Sequence, residues 1–289
     1  MSDPQSNNYK WFVLAILTVV YAFNFIDRQI LVILQEPIKA ELGLSDTQLG
    51  LLTGFSFAVV YVTAGIPIAW LADRSNRRNI VAVSLGIWSV MTALSGMVQN
   101  YTQLLLARLG VGLGEAGGSP PSHSMLSDYF PEEQRGTALS IYTTGIYLGI
   151  FFGYFAGGWI ADTYGWRNAF FIVGIPGVVL AFLLLLLVRE PPRTLLPNAV
   201  ENEKASFKET IVFLLQRPAF WWIALGCSTA SFVGYGNGNF FPSLLIRNYG
   251  LTVTEVGMFM GVISGSTGML GTFLGAVSYT HLRAHETAY

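Results

Sequence analysis

The sequence has few charges and almost no cysteine. Asp, Glu, Lys and Arg make up 11% of its 289 residues, whereas a soluble domain carries about 25%. The single cysteine, Cys227, excludes an internal disulfide framework. The sequence also lacks metal-ligand spacing, a nucleotide-binding loop between a strand and a helix, and a nucleophile elbow. We therefore expect no metal, no cofactor, no nucleic-acid partner and no enzyme activity.

Apolar residues are abundant instead, at 52% of the chain. They form eight stretches long enough to cross a bilayer as helices, which predicts an all-α membrane protein. Most connections between the stretches are short, so the helices should be packed neighbours. The segment from Arg189 to Arg217 is polar and Pro-rich and is typical of an interdomain linker. We place the spans at 11–35, 47–72, 79–98, 102–126, 136–161, 167–188, 219–246 and 254–278.

The predicted domain organisation follows from these spans. Residues 1–10 form a polar N-terminus, 11–188 a six-helix transmembrane half, 189–218 a linker, and 219–278 two further helices. Residues 279–289 have the look of translated adapter sequence, and we expect them to be a non-native tail without a role in function.

Basic residues predict the orientation of the helices in the membrane. With the N-terminus in the cytoplasm, ten Lys and Arg residues fall on the cytoplasmic side and three on the other, as the positive-inside rule requires. We therefore expect a multi-pass protein of the plasma or inner membrane with a cytoplasmic N-terminus. The three residues on the other side are Lys39, Arg167 and Arg247.

Four ionisable residues interrupt the predicted spans. Asp27 and Arg28 lie in the first span, and Arg108 and Glu115 lie one above the other on the fourth. A charge near the bilayer centre costs about 2.5–3.5 kcal/mol on insertion scales and usually marks a functional site. We expect Asp27 to contact Arg108 across the two helices, with Arg28 and Glu115 completing a neutral cluster. The alternative to a functional role is a static lattice of ion pairs.

A repeat links the first three spans to the next three. Segments 70–79 and 159–168 match in register at Trp, Ala, Asp, Arg and Asn, and each follows a corresponding span. A repeat of three helices places its two copies on opposite membrane faces. Such inverted repeats are typical of secondary transporters. The same offset brings Asp27 to within one residue of Glu115, so the two carboxylates occupy near-equivalent positions.

Three motifs carry a family resemblance. Segment 73–78, Asp-Arg-Ser-Asn-Arg-Arg, resembles the signature loop of the major facilitator superfamily, although Ala69 and Asn76 replace its two glycines. Asn76 tolerates a left-handed backbone and is expected to turn there. The other two motifs resemble those of helices 4 and 5 of that family: Arg108 with Gly110, Gly112 and Gly114, and the row Gly145, Gly149, Gly153 and Gly157.

Within that superfamily, segments 24–28 and 114–116 resemble the signatures of the spinster-like group. That resemblance implies proton-linked export of lysolipids or sphingoid lipids, with Asp27 and Glu115 as the protonatable groups and Arg28 and Arg108 as their partners. It also implies twelve helices in two six-helix halves, so we expect a chain truncated after helix 8. Anion:cation symporters of the same superfamily share the Asp-Arg pair and the Glu-Ala-Gly sequence.

Other polar residues are weaker candidates. Asp73, Arg74 and Arg78 are expected to form a cytoplasmic latch between helices, or to fix topology alone. Arg108 has two possible roles, anchoring the acids or meeting an anionic substrate. The glycine row of helix 5 predicts close helix packing. The possible substrate-cavity residues are Tyr21, Asn24, Tyr142, Tyr147, Asn237 and Asn239. The alternatives are aromatic packing for the tyrosines, holding the geometry of Asp27 and Arg28 or satisfying a neighbouring backbone group for Asn24, and interhelix hydrogen bonding for the other two asparagines. Asn237 and Asn239 lie in a helix 7 that the glycines and Pro242 are expected to break.

The leading hypothesis is a proton-coupled secondary transporter that moves an amphipathic, lipid-like or organic small molecule by alternating access. Its partners are then that substrate, protons and the bilayer, and the full-length protein is expected to be a monomer. The rival hypothesis is a symporter for a small organic anion and protons. A membrane receptor or enzyme is disfavoured, since the sequence shows neither an extramembrane ligand domain nor a catalytic constellation.

Overall fold

The computed structural model describes residues 7–193 and 207–286, and every regular element in these ranges is helical. The helices are α1 (Asn7–Ile33), α2 (Gln35–Leu42), α3 (Asp46–Gly50), a π-helical turn (Leu51–Phe55), α4 (Ser56–Ala72), α5 (Arg77–Ser95), α6 (Tyr101–Glu115), α7 (Ser119–Tyr129), α8 (Glu132–Tyr164), α9 (Trp166–Leu187), α10 (Phe207–Leu215), α11 (Pro218–Tyr249) and α12 (Val253–Glu286).

Five helical segments in the described ranges are long and apolar enough to cross a membrane. They correspond to predicted spans one, two, three, five and six. Predicted spans seven and eight fall on α11 and α12, which run for 32 and 34 residues. Helix α12 continues into the predicted tail, and α10 lies within the predicted linker, of which residues 194–206 are outside the described part. The five segments are Asn8–Ile33, Asp46–Ala72, Arg77–Ser95, Glu132–Tyr164 and Trp166–Leu187.

The predicted fourth span is wrong as a single helix. Residues 102–126 form two helices, α6 and α7, separated by a turn at 116–118. Pro120 and Pro121 have no backbone N–H, so the carbonyls of Ala116 and Gly117 lose the donors that a continuous helix would give them. The prolines fit into the first turn of α7, where an N–H has no intrahelical partner. Glu115 is therefore the last residue of α6.

The predicted break in helix 7 is also wrong. Helix α11 runs without interruption from Pro218 to Tyr249. Pro242 removes only the hydrogen bond to the Gly238 carbonyl, and the side-chain amide of Gln35 donates to the neighbouring Asn239 carbonyl at 2.7 Å. The loss of one backbone hydrogen bond, next to a carbonyl that Gln35 satisfies, does not break a helix of this length.

Local capping explains where several helices begin. The Asn76 side chain accepts from the backbone N–H of Asn79 and starts α5, and Asn100 does the same for α6 through Gln103. Asn76 has φ −72, so it caps the helix and does not adopt the left-handed turn predicted from its replacement of glycine.

Helix α8 lies between α1 and α12, and its glycines allow the close approach on both sides. A β-carbon on Gly145 would lie 2.6 Å from the Thr18 carbonyl oxygen of α1. A β-carbon on Gly158 would lie 2.6 Å from the Val253 carbonyl oxygen at the start of α12. The predicted close packing of the row Gly145, Gly149, Gly153 and Gly157 is therefore confirmed, with α1 as its partner, and a further glycine contacts α12.

The inverted repeat is visible as matching contacts. Arg78, at the start of α5, donates to the Val188 carbonyl after α9 at 3.3 Å. Its repeat equivalent Arg167, at the start of α9, donates to the Val98 carbonyl after α5 at 2.8 Å. Each arginine thus ties the beginning of one helix to the end of its counterpart. The two contacts lie at opposite ends of the bundle, as an inverted repeat requires.

A second repeat, which the sequence analysis missed, relates α2–α3 to α11–α12. Gly43 ends α2 with φ 64, and Gly250 ends α11 with φ 68. Each glycine is followed by Leu and then by a hydroxyl residue, Ser45 or Thr252, which pairs with the residue three positions later in a capping box. The matching sequence, Gly-Leu-Ser/Thr with Gln or Glu three positions later, could have revealed the relation between 43–48 and 250–255.

Candidate functional site

The four intramembrane charges lie together between α1 and α6. Asp27 and Arg28 come from α1, and Arg108 and Glu115 come from α6, two turns apart on one helix face. The relative exposures of Asp27, Arg108 and Glu115 are 1%, 2% and 0%. The Arg28 side chain is 18% exposed. Among these four residues, Arg28 is the most open to its surroundings.

Two ion pairs connect α1 to α6, and each has its acid on one helix and its base on the other. Nη1 of Arg108 donates to Oδ1 of Asp27 at 3.0 Å, which confirms the expected contact. Nε of Arg28 donates to Oε2 of Glu115 at 2.7 Å. The cluster has two positive and two negative groups and is neutral as predicted. Neutral pairing is what a low-dielectric interior demands, because an unpaired buried charge is strongly destabilising.

Helix α5 supplies a polar partner that the sequence analysis missed. The Thr92 hydroxyl donates to Oδ2 of Asp27, and Thr92 itself is fully buried. Asp27 therefore has one carboxylate oxygen on Arg108 and the other on Thr92. A threonine within an apolar span gives no sequence signal of this role, since most intrahelical threonines bond to their own backbone.

Aromatic rings surround the Arg28 guanidinium. Its central carbon lies 5.1 Å from the ring centre of Phe25, 4.8 Å from that of Phe57 and 5.2 Å from that of Tyr61. Phe57 and Tyr61 lie one turn apart on α4, directly after the π-helical turn, a feature common at functional sites. Cation–π attraction of this kind stabilises a partly desolvated arginine. The sequence analysis did not identify Phe57 or Tyr61.

Three polar atoms in and near the cluster are buried without a hydrogen-bond partner among the described residues. They are Oδ1 of Asn24, Nε of Arg108 and Oε1 of Glu115. Buried polar groups normally have partners, and an unpaired one signals strain, a bound water or a functional role. The site thus has unused donor and acceptor capacity beside its two protonatable groups.

The predicted tyrosines divide into two groups. Tyr21 and Tyr142 stack with ring centres 4.4 Å apart, and Tyr142 is fully buried in the apolar core of the six-helix half. Tyr147 lies against α12 instead, where its ring occupies the space that a side chain on Gly268 would need. All three make packing contacts, the alternative role considered for them.

Of the two predicted asparagines of α11, Asn239 forms hydrogen bonds with the six-helix half. Its carbonyl accepts from Gln35, and its side-chain amide donates to the Thr53 carbonyl at 3.4 Å. Asn237 lines a cavity of about 620 Å³ that runs along α11 from Gly236 to Asn248. Asn239 therefore makes the interhelix hydrogen bonds that were the alternative to substrate contact.

The predicted latch residues make modest contacts. Arg74 covers the Trp70 ring at 4.1 Å, and Arg78 reaches Val188 as described above. Asp73 contacts another segment through its backbone carbonyl, which accepts from Arg193. The ion pairs of this loop belong instead to its neighbour Arg77.

Arg77 is a buried hub that sequence reasoning did not single out. Its side chain is 2% exposed, and it pairs with Asp128 at 2.5 Å and Glu190 at 2.6 Å. It also donates to Oγ of Ser124 at 2.9 Å. These contacts join α5, α7 and the segment after α9. We call this region of the bundle the Arg77 end.

The other end of α1 carries a different network. Arg247, in the last turn of α11, pairs with Glu36 of α2 at 2.7 Å and with Asp46 of α3 at 2.6 Å. Lys39 also pairs with Asp46 at 2.7 Å. The hydrogen bonds from Arg247, and then those from Lys39, hold the pKa of the exposed Asp46 carboxyl well below its usual value. We call this region the Arg247 end.

Glu41 lies near the Arg247 end and binds the start of α9. Its carboxylate accepts from Nε1 of Trp166 at 2.6 Å and from Arg167. The Trp166 hydrogen bond is the main reason that the pKa of Glu41 is lowered. These contacts stay within the six-helix half, unlike those of Arg247.

A helical bundle with an inverted three-helix repeat and paired charges inside its spans is an architecture typical of multi-pass membrane transporters. The chain belongs to the Major Facilitator Superfamily, whose family model matches residues 17–287. This is a family of transporters and not of enzymes. The match to its family model confirms the predicted all-helical fold and the family resemblance.

Three relatives place the chain within this family. It is 37% identical to an MFS-type efflux pump of Mycolicibacterium smegmatis over 94% of this chain and 63% of the pump. It is 26% identical to a probable galactarate/D-glucarate transporter of Bacillus subtilis over 94% of this chain and 65% of that protein. A crystal structure of a bacterial homolog of the human lysosomal transporter Spinster, inward-facing and unoccupied, superposes with a TM-score of 0.84 at 37% identity, covering 93% of this chain and 62% of that one. The chain therefore spans about two thirds or less of each relative's length.

Proposed function

We propose that the protein is a proton-coupled secondary transporter that moves an amphipathic, lipid-like or organic small molecule by alternating access. The single observation that carries the proposal is the crossed pair of buried ion pairs, Asp27 with Arg108 and Glu115 with Arg28. Both acids are buried between helices of an inverted repeat, and intramembrane acids in such folds are typical proton sites.

The geometry suggests how coupling would work. Protonation of Glu115 removes its charge and weakens its hold on Arg28, the most open of the four residues. Arg28 is then available to a substrate or to water, while the aromatic rings around it support its charge. Asp27 is held by Arg108 and Thr92 together, so Glu115 is the acid with fewer partners and the first to exchange its proton.

Two chemical classes of substrate have support. The similarity to an efflux pump favours export, and the spinster-like resemblance of segments 24–28 and 114–116 implies a lipid-like substrate. The similarity to a probable galactarate/D-glucarate transporter favours a small organic anion, which an arginine released from Glu115 would bind through its guanidinium. Location in the plasma or inner membrane, a cytoplasmic N-terminus and a monomeric state are further parts of the proposal.

The test uses the full-length gene product in proteoliposomes with an imposed pH gradient. The panel is a lysophospholipid, a sphingoid base and D-glucarate, each in both directions. Glu115→Gln and Asp27→Asn should abolish proton-driven accumulation, because neither amide can bind and release a proton. Substrate exchange without a gradient should survive at least in Glu115→Gln, since exchange needs no net proton movement.

Glu41→Gln is the matched control, because it neutralises an exposed acid outside the cluster. This variant should keep both accumulation and its pH dependence. Wild-type accumulation across the pH range by both cluster variants would refute the assignment of the coupling groups. If none of the three substrates is transported under any condition, the proposed substrate classes are refuted. The assignment of the coupling groups would then be tested with a different substrate.

A further inference from the structure

Asp162, the acidic residue of the second repeat segment, contacts a helix outside the six-helix half. It lies in the last turn of α8, and its Oδ2 accepts from the backbone N–H of Thr254 at 2.8 Å and from the Thr254 hydroxyl at 2.7 Å. Thr254 is the second residue of α12. The carboxylate therefore caps the beginning of a helix that belongs to the other part of the transporter.

Helix α12 has a cap of its own that leaves this position unsatisfied. Within its capping box, Thr252 accepts from the Glu255 N–H at 3.2 Å, and the Glu255 carboxylate accepts from the Thr252 N–H at 2.8 Å. The first N–H groups of a helix have no intrahelical partners. The Thr254 N–H is one of these, and Asp162 supplies both an acceptor and a negative charge where the helix dipole favours one.

This contact depends on the distance between α8 and α12. One turn before Asp162, a β-carbon on Gly158 would lie 2.6 Å from the Val253 carbonyl oxygen and 3.3 Å from Cα of Gly257. The two backbones meet here with no side chain between them. Separation of the helices by even a few ångströms would break the hydrogen bonds of Asp162, since these require a donor–acceptor distance of about 3 Å.

The contact lies at the same end as the Arg247 network. Arg247 closes the six-helix half against the end of α11. Asp162 closes it against the beginning of α12, which follows α11 after a connection of three residues. Asp162 takes no part in the buried charge cluster, and its place near the end of a span puts it outside the proposed proton chemistry.

We propose that Asp162 is a positioning residue of the transport cycle, whose carboxylate caps α12 only while the Arg247 end is closed and thereby favours that state. A contact made in one state and lost in the other shifts the equilibrium by the free energy of that contact. The inference rests on the proposed alternating-access function, because it requires a second state in which the Arg247 end is open.

The experiment measures the conformational equilibrium directly. Spin labels at Thr47 and Asn248, both exposed and on opposite sides of the Arg247 end, are introduced into the full-length gene product with Cys227→Ser, in lipid nanodiscs. Electron–electron distance measurements then give the open-to-closed ratio. Asp162→Ala should raise this ratio about fivefold, the effect of losing a typical N-cap. Thr254→Val should raise it less, because the backbone N–H remains.

Two variants separate positioning from simple helix stability. Glu255→Ala removes a cap at the same helix end without touching α8, so it should lower the thermal midpoint and leave the ratio unchanged. Asp162→Asn keeps an acceptor and should stay within about twofold of the wild type, since Asn is also a good N-cap.

An unchanged ratio in both Asp162→Ala and Thr254→Val would overturn the inference, as would an equal shift in Glu255→Ala. If Asp162→Ala does not yield a monodisperse protein, Thr254→Val alone decides the outcome. The readout needs no substrate, so failure of the transport assay with an intact label shift would refute the proposed substrates or coupling groups and leave the role of Asp162 standing.

Discussion

The two ends of the bundle are held together in different ways. At the Arg247 end, the contacts join the six-helix half to α11 and α12, through Arg247, Gln35 and Asp162. At the Arg77 end, the ion pairs of Arg77 join elements within residues 77–190. The contacts at one end join the six-helix half to α11 and α12, and those at the other end join elements within residues 77–190.

The exposure of α11 follows the same division. Its buried residues, Pro242 and Ser243, lie toward the Arg247 end, whereas Trp221 and Trp222 near its start are 54% and 74% exposed. The described chain is therefore closed between its parts at the Arg247 end.

The largest predicted effect comes from the Arg77 end. Arg77→Gln removes the buried guanidinium that pairs with Asp128 and Glu190, and breaking a buried ion pair costs about 3–5 kcal/mol. We expect a large loss of thermal stability in detergent, measured by the fraction that stays monodisperse after heating. Because the ion pairs of Arg77 lie within residues 77–190 and do not involve α11 or α12, the label distance across the Arg247 end should not change in the protein that remains folded.

Arg74→Gln is the control for Arg77, since Arg74 is a neighbouring exposed cation that covers Trp70. We expect it to be close to the wild type in stability. An Arg77 variant as stable as the Arg74 variant would show that the hub does not hold the six-helix half together.

The next prediction concerns the Arg247 end. Exposed ion pairs are worth at most about 1 kcal/mol each, so Arg247→Gln should lower the thermal midpoint only slightly. It should nevertheless raise the open-to-closed ratio at Thr47 and Asn248, because its partners Glu36 and Asp46 lie across the interface. Lys39→Gln, which removes a pair with Asp46 inside the six-helix half, should leave that ratio unchanged. Equal shifts in both variants would contradict the division between the two ends.

The sequence predicted what depends on burial of charge and on periodicity. Apolar run lengths predicted the main helices, and the charges in those runs predicted the contact between Asp27 and Arg108. The glycine row predicted close helix packing, which the structure places between α8 and α1. In each case few helix packings avoid a large energetic cost, either that of an unpaired buried charge or that of a clash between backbones.

Sequence reasoning failed where several residues could have filled one role. The four charged residues of the signature loop looked alike, and only packing shows that Arg77 is buried while Arg74 and Arg78 are not. Thr92 and Phe57 are ordinary residues of apolar helices, and their place beside Asp27 and Arg28 follows from how α4 and α5 pack. The break between α6 and α7 needed the two prolines to be weighed against a strong apolar run.

The smallest predicted effect is the acid sensitivity of the Arg247 end. Hydrogen bonds from Arg247 and Lys39 lower the pKa of Asp46, so this group stabilises the folded state above the ordinary Asp pKa of about 3.9. That contribution is lost as the pH falls through the lowered value. The difference in thermal midpoint between the wild type and Arg247→Gln should therefore stay constant from pH 7 to about pH 4 and shrink in stronger acid. Arg74→Gln, whose aromatic contact involves no carboxylate, should show no such change. If the difference in thermal midpoint already shrinks between pH 7 and pH 5, the group that stabilises this end together with Arg247 is not Asp46.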